Sequence, residues 1–150
     1  MNNKSLLSIV TLLFAVVALR AQSPYPVQQN EVLFEGLDPI TYFEEEIKEG
    51  SPEITTEYEG RLIYFVSESN KQKFLEDPEK YFPVHGGWCS FSMVNGKFVY
   101  PDYTMYKIQD GQLLFFATRA FFNAQTAWQQ DPNNNKVAAD KNYQMYFGQQ

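Results

Sequence analysis

Turn and break signals cut this chain into short pieces, and that limits what it can become. Gly36-Leu37-Asp38-Pro39, Glu49-Gly50-Ser51-Pro52, Glu59-Gly60, Asp77-Pro78, Asn95-Gly96, Asp110-Gly111 and Asp131-Pro132 follow one another along it. Short strands and short helices are what fit between such signals. Glu59-Gly60 joins the alternating stretch Ile54 to Tyr58 to the unbroken apolar run Leu62-Ile63-Tyr64-Phe65-Val66. An unbroken run of that kind predicts a strand covered on both faces. Asn95-Gly96, between Met93-Val94 and Lys97-Phe98-Val99-Tyr100, is the strongest short-range hairpin signal. Asp110-Gly111 reads the same way between Met105-Tyr106-Lys107-Ile108 and Leu113-Leu114-Phe115-Phe116.

The pieces between the hairpins read as helices. Asp38 is expected as the N-cap of a short helix with Pro39 in its first position, where a missing N–H costs nothing. Tyr42 and Phe43 then face inward. A second helix starts at Ser67 or at Ser69, the latter forming a capping box with Gln72, and turns Phe74 and Leu75 to the core. Asp77-Pro78 repeats the cap-then-proline device. Near the end, Phe121, Ala124, Gln125 and Trp128 share one helical face. Asp131-Pro132 and three asparagines break that helix, and Ala139, Tyr143, Tyr146 and Phe147 form the face of a last one. No repeat and no dividing linker stands out. The expectation is one small α+β domain of β-hairpins with packed short helices over residues 34–150, behind an extended lead-in at 22–33.

Residues 1–21 are set aside as a signal peptide. Lys4 precedes an almost wholly apolar run from Leu6 to Leu19, too short for a bilayer, which needs ~20 residues, and suited to a secretory signal. Cleavage is expected between Ala21 and Gln22, although Leu19 is not the small residue usual at its position. The product would be periplasmic or secreted, with no stable membrane span. From Gln22 onward ten basic residues face 18 acidic ones, a net charge of −8. A chain so acidic, with no basic stripe, repels phosphate backbones, so nucleic acid is not an expected partner. Aromatic residues make up 17% of the chain, which excludes a disordered one.

The order and spacing of several segments resemble those of the secreted YHS-domain family. They are Gly36-Leu37-Asp38-Pro39-Ile40-Thr41-Tyr42-Phe43, Tyr58-Glu59-Gly60 with Tyr64-Phe65, and Phe74-Leu75-Glu76-Asp77-Pro78-Glu79-Lys80-Tyr81. Gly86-Gly87-Trp88-Cys89-Ser90-Phe91 and Tyr106-Lys107-Ile108 with Asp110-Gly111-Gln112-Leu113 complete the set. The resemblance covers about residues 34–147 and implies a YHS-like fold. Metal-associated members of that family carry cysteines at places held here by Thr41, Val66 and Asn70, so the resemblance implies a fold more than an activity.

The only His and the only Cys stand four residues apart, His85-Gly86-Gly87-Trp88-Cys89, with Met93 four further on. Imidazole, thiolate and thioether are soft donors of the kind that hold copper(I), so His85, Cys89 and Met93 are the candidate metal ligands. Cys89 has two other readings. One is a buried small hydrophobe among Trp88, Phe91 and Met93. The other is a reactive thiol with His85 as base and Asp38 orienting it, in a thiol enzyme or redox protein. No residue is assigned as catalytic. Glu44-Glu45-Glu46 reads as a solvated face, and no phosphate loop or zinc motif is present. The functional expectation is an exported binding module of the cell envelope. It would take a soft metal ion such as copper; a domain serving only structure or an envelope protein partner is the remaining alternative.

Overall fold

The computed structural model describes residues 23–27, 31–44 and 46–148. The expected signal peptide, its cleavage point, part of the lead-in and Glu45 lie outside these. The described chain is a mixed α+β fold of small antiparallel hairpins and short helices. Strand β1 (Ser51–Tyr58) pairs with β2 (Arg61–Phe65), and β3 (Asp102–Gln109) with β4 (Gln112–Phe116). A two-residue pair, β5 (Thr118–Arg119) and β6 (Phe122–Asn123), follows. The helices are α1 (Glu68–Glu76), α2 (Pro78–Tyr81), α3 (Ser90–Met93), α4 (Ala124–Trp128) and α5 (Pro132–Phe147). Among the described residues no helix is long and apolar enough to cross a membrane.

Both X-Gly turns do what their composition demands. Glu59 and Gly60 have φ of 52° and 72°, and Asp110 and Gly111 have φ of 52° and 76°. These left-handed pairs match the twist of the strands they join. The strand covered on both faces is β4 rather than β2. Side chains alternate along a strand, so Leu113 and Phe115 enter a core with Leu33, Phe34, Tyr42, Ile63, Phe65 and Phe74. Leu114 and Phe116 enter a second core with Trp88, Cys89, Met93, Ala124, Trp128 and Ala139. In β2 only Ile63 and Phe65 are fully buried, and Leu62 and Tyr64 are half-buried.

Several expectations are corrected. Asn95-Gly96 makes no hairpin: Gly96 donates to the Met93 carbonyl at 2.9 Å and Lys97 to that of Ser92 at 3.1 Å. This is the closing pattern of a helix that ends on a left-handed glycine, so the pair terminates α3. Helix α1 is capped by Ser67, whose hydroxyl accepts from the Asn70 amide at 3.1 Å. Phe74 takes its core slot and leaves Leu75 45% exposed. Phe121 lies outside α4, fully exposed on the β5–β6 turn, because Asn123 caps the helix two residues later. Asp131-Pro132 starts α5, and the asparagines sit in its first turn, where Asn135 bonds the Trp128 carbonyl at 3.0 Å.

Asp38 caps no α-helix. It is fully buried, and Oδ1 accepts from the Ile40 amide at 2.9 Å. Its Oδ2 accepts from the Val66 amide at 2.8 Å and from Asn70 Nδ2 at 2.9 Å. A buried carboxylate persists only when its lone pairs are used in this way. The carboxylate thereby ties the end of β2 and the start of α1 to the turn before Thr41–Phe43.

A histidine-floored cleft between a left-handed turn and the last helix

Residues 84–87 are the local feature that builds the site. His85, Gly86 and Gly87 have φ of 57°, 61° and 89°, three left-handed residues in succession. Gly86 has no alternative: a Cβ there would strike the Pro24 carbonyl and the Tyr143 hydroxyl. His85 tolerates a conformation that costs most side chains energy, and its ring is driven inward until the side chain is 1% exposed.

Both ring nitrogens are used. Nδ1 lies 3.0 Å from Ser90 Oγ, and Nε2 lies 2.9 Å from Asp140 Oδ1 on α5. The other carboxylate oxygen accepts from Lys136 Nζ, one turn earlier on the same helix, at 2.7 Å. A carboxylate accepts only, so Nε2 donates to Asp140. The hydrogen bond from His85, with help from Lys136 and against the cost of burial, holds the Asp140 carboxyl below its ordinary range. Of this chain, His85, Asp140 and Lys136 line a cleft of about 570 Å³. Tyr25, Phe82 and Tyr143 wall it, and Glu79, Gln112 and Gln144 stand around it. Burial pushes the Tyr25 phenol up to about 12 and the Tyr143 phenol higher still, so both remain neutral hydroxyls at physiological pH.

The sequence offered His85 as a metal ligand or as a base beside Cys89, and the structure gives it other partners. Asp38, the expected orienter, is bound to Val66, Asn70 and Ile40 instead. The carboxylate on His85 comes from Asp140, 55 positions away, for which no local signal exists. Cys89 is fully buried, and its Sγ accepts from the Ala117 amide at 3.2 Å. Met93 is buried in the same core. Ser90 is fully buried and does not line the cleft. Neither Cys89 nor Ser90 therefore presents a nucleophile to a molecule in the cleft.

Copper(I) fits this donor set poorly. The His85 nitrogens are both occupied, and the thiol is tied to an amide in an apolar core. Among the described residues no group of three or more His, Cys, Asp or Glu is placed to hold a metal ion. The places where the resemblance puts thiols do converge, but on Asp38. Thr41 Oγ1 donates to the Asp38 carbonyl at 2.7 Å, and Val66 and Asn70 donate to its carboxylate. A hydrogen-bonded knot stands where that resemblance expects metal ligands.

Fold and site together define a small mixed α+β module with one histidine-floored cleft. Residues 46–84 match the YHS domain family, a segment that runs through both strands of the first hairpin, α1 and α2. The match supports the YHS resemblance and stops one residue short of His85. No curated protein and no solved structure gives a significant match to the chain.

Proposed function

We propose that this protein is an exported binding module of the cell envelope whose ligand seat is the cleft over His85, and that it takes a small organic cation. One observation carries the reading: a buried imidazole, bonded at both nitrogens, lies in a cleft whose lining joins the rings of Tyr25, Phe82 and Tyr143 to a few charged and amide side chains. Few, fixed polar groups in an aromatic pocket are the usual anatomy of a small-molecule site. Glu79 and Asp140 outnumber the one lysine, Lys136, in the lining. Aromatic faces attract cations, and the acidic chain favours their approach. Arg61 already stacks over Tyr25 at 4.2 Å.

Benzylammonium tests the binding reading, with benzoate as the control of equal size and opposite charge. Added to labelled protein, benzylammonium is expected to shift the resonances of His85, Tyr143 and Gln144, and Glu79→Gln to weaken the effect. Equal binding of benzoate, or no binding by either, overturns the cation reading. Export rests on the apolar run Leu6 to Leu19 and is checked by the intact mass of the exported product. That mass is expected to begin near Gln22; one that retains Met1 means an anchor.

A further inference from the structure

Two stretches of the chain follow one backbone path at a constant offset of 51 residues. Phe34, Glu35 and Gly36 have φ of 57°, 54° and 87°, and His85, Gly86 and Gly87 have 57°, 61° and 89°. Leu37 donates to the Phe34 carbonyl, and Trp88 to that of His85, each at 3.1 Å. The next amides do the same: Asp38 to Lys48 at 2.9 Å, Cys89 to Val99 at 3.0 Å. Each hairpin contains the same irregularity. The pairing jumps from Ser51↔Phe65 to Thr55↔Tyr64 in the first, and from Asp102↔Phe116 to Tyr106↔Phe115 in the second. At the hairpin ends, Val66 donates to the Asp38 carboxylate and Ala117 to the Cys89 sulfur.

Beyond that point the second stretch carries three extra residues around the β5–β6 turn, and the offset becomes 54. Phe74 and Trp128 are both fully buried. Asp77 has φ −150° and ψ 72°, and Asp131 has φ −153° and ψ 69°, each followed by the proline that opens a helix. Three left-handed residues in succession, opened by one that is not glycine, are rare, and bulges are retained features rather than accidents. Their recurrence at one offset, with matching tertiary bonds, is more than chance reuse of common turns.

We infer that the chain is a tandem duplication of one unit of about 50 residues, and that at His85 the second copy was converted from closed core to ligand seat. The second clause rests on the cleft reading above. The copies act as controls for one another. Phe34 packs edge-on against Phe82 and Tyr103 and lies against Phe115, all apolar or aromatic. His85 occupies the same backbone position and meets Ser90 and Asp140 instead. Ser90 stands where the first copy has Pro39. Asp140, Lys136 and Tyr143 come from α5, which opens on the same Asp-Pro as α2 but runs sixteen residues instead of four. The longer helix supplies one side of the cleft, through Lys136, Asp140, Tyr143 and Gln144.

The test exchanges residues between copies in the full chain. His85→Phe alone strands the buried Ser90 hydroxyl, at a cost that alters the folded-to-unfolded ratio about tenfold. Proline suits the first position of α3, and Cys89 before it is already extended, with ψ 113°. Ser90→Pro is therefore expected to raise the stability of His85→Phe by about tenfold in that ratio, yet lower that of the wild type, in urea unfolding. Equal effects of Ser90→Pro in both backgrounds, or failure of the double variant to fold while His85→Phe folds, overturn the conversion at His85. The duplication itself is read separately, from profiles built on relatives over 33–66 and 84–117. Mutual recognition at the 51-residue offset supports it, and its absence overturns it. Failure of benzylammonium to bind removes the ligand seat from the second clause and leaves the duplication and the His85–Ser90 coupling standing, so the failures are distinguishable.

Discussion

Cys89 and Asp38 do the same work in the two halves of the chain. Cys89 Sγ lies 3.2 Å from the Ala117 amide, and Asp38 Oδ2 lies 2.8 Å from the Val66 amide; each closes the end of its hairpin. The sulfur is thereby a structural acceptor, and the protein's one thiol has no exposed surface.

Native Cys89 is therefore expected to react slowly with a thiol reagent at neutral pH, and quickly once urea unfolds the chain. A reactive thiol needs exposure as well as thiolate character. Cys89→Ala is expected to cost ~1–2 kcal/mol, as loss of a small buried group with an amide partner does. Fast labelling of the native protein would return Cys89 to the candidate nucleophiles.

Asp140 makes stability pH-dependent in the acid range. Its carboxyl titrates below the ordinary value of 3.8 because His85, and then Lys136, bind the ionised form. A group depressed in the folded state contributes stability above its unfolded pKa and loses it as pH falls through the folded one. The gap in urea midpoint between the wild type and Asp140→Ala should thus be present at pH 7 and shrink below about pH 4. A gap that widens on acidification contradicts this assignment.

Copper(I) gives a further check. Ligation by Cys89 and His85 would require breaking the Ala117–Cys89 bond and one His85 bond inside a packed core. The folded protein is expected to lose a one-equivalent competition with a chelator, and any uptake to be accompanied by loss of near-ultraviolet dichroism. Tight uptake with the native signal intact, abolished by Cys89→Ser and weakened by Met93→Leu, would establish the copper reading.

The two halves are expected to unfold together. Phe34, Leu33 and Tyr42 share a core with Tyr103, Leu113 and Phe115 from the other half, so neither half closes its core alone. One transition by every probe is the expected result. A separately expressed chain of residues 83–150 should show no cooperative melt, and a folded fragment would contradict the shared core.

The hairpins at Glu59-Gly60 and Asp110-Gly111, and the helix start at Asp77-Pro78, were legible because each is set by residues in contact along the chain. Asn95-Gly96 misled for the same reason: the pair supplies left-handed backbone, and whether that joins strands or ends a helix depends on what precedes it. Here Cys89 is pinned by Val99 and Phe115, and α3 forms instead. The repeat stayed hidden because it is carried by dihedral angles and hydrogen bonds. Phe34 and His85, or Asp38 and Cys89, fill equivalent places with unrelated chemistry.

By itself the sequence determined the local grammar: short hairpins, capped helices, an acidic aromatic-rich α+β chain, and His85 with Cys89 as its singular groups. Only the tertiary structure decided their partners. It placed Asp140 on His85 across 55 positions, sent the Cys89 thiol to an amide, and gave the two faces of β4 to two cores. Turns and caps are short-range and readable from adjacent residues, whereas a buried polar group takes whichever distant partner packing brings within about 3 Å.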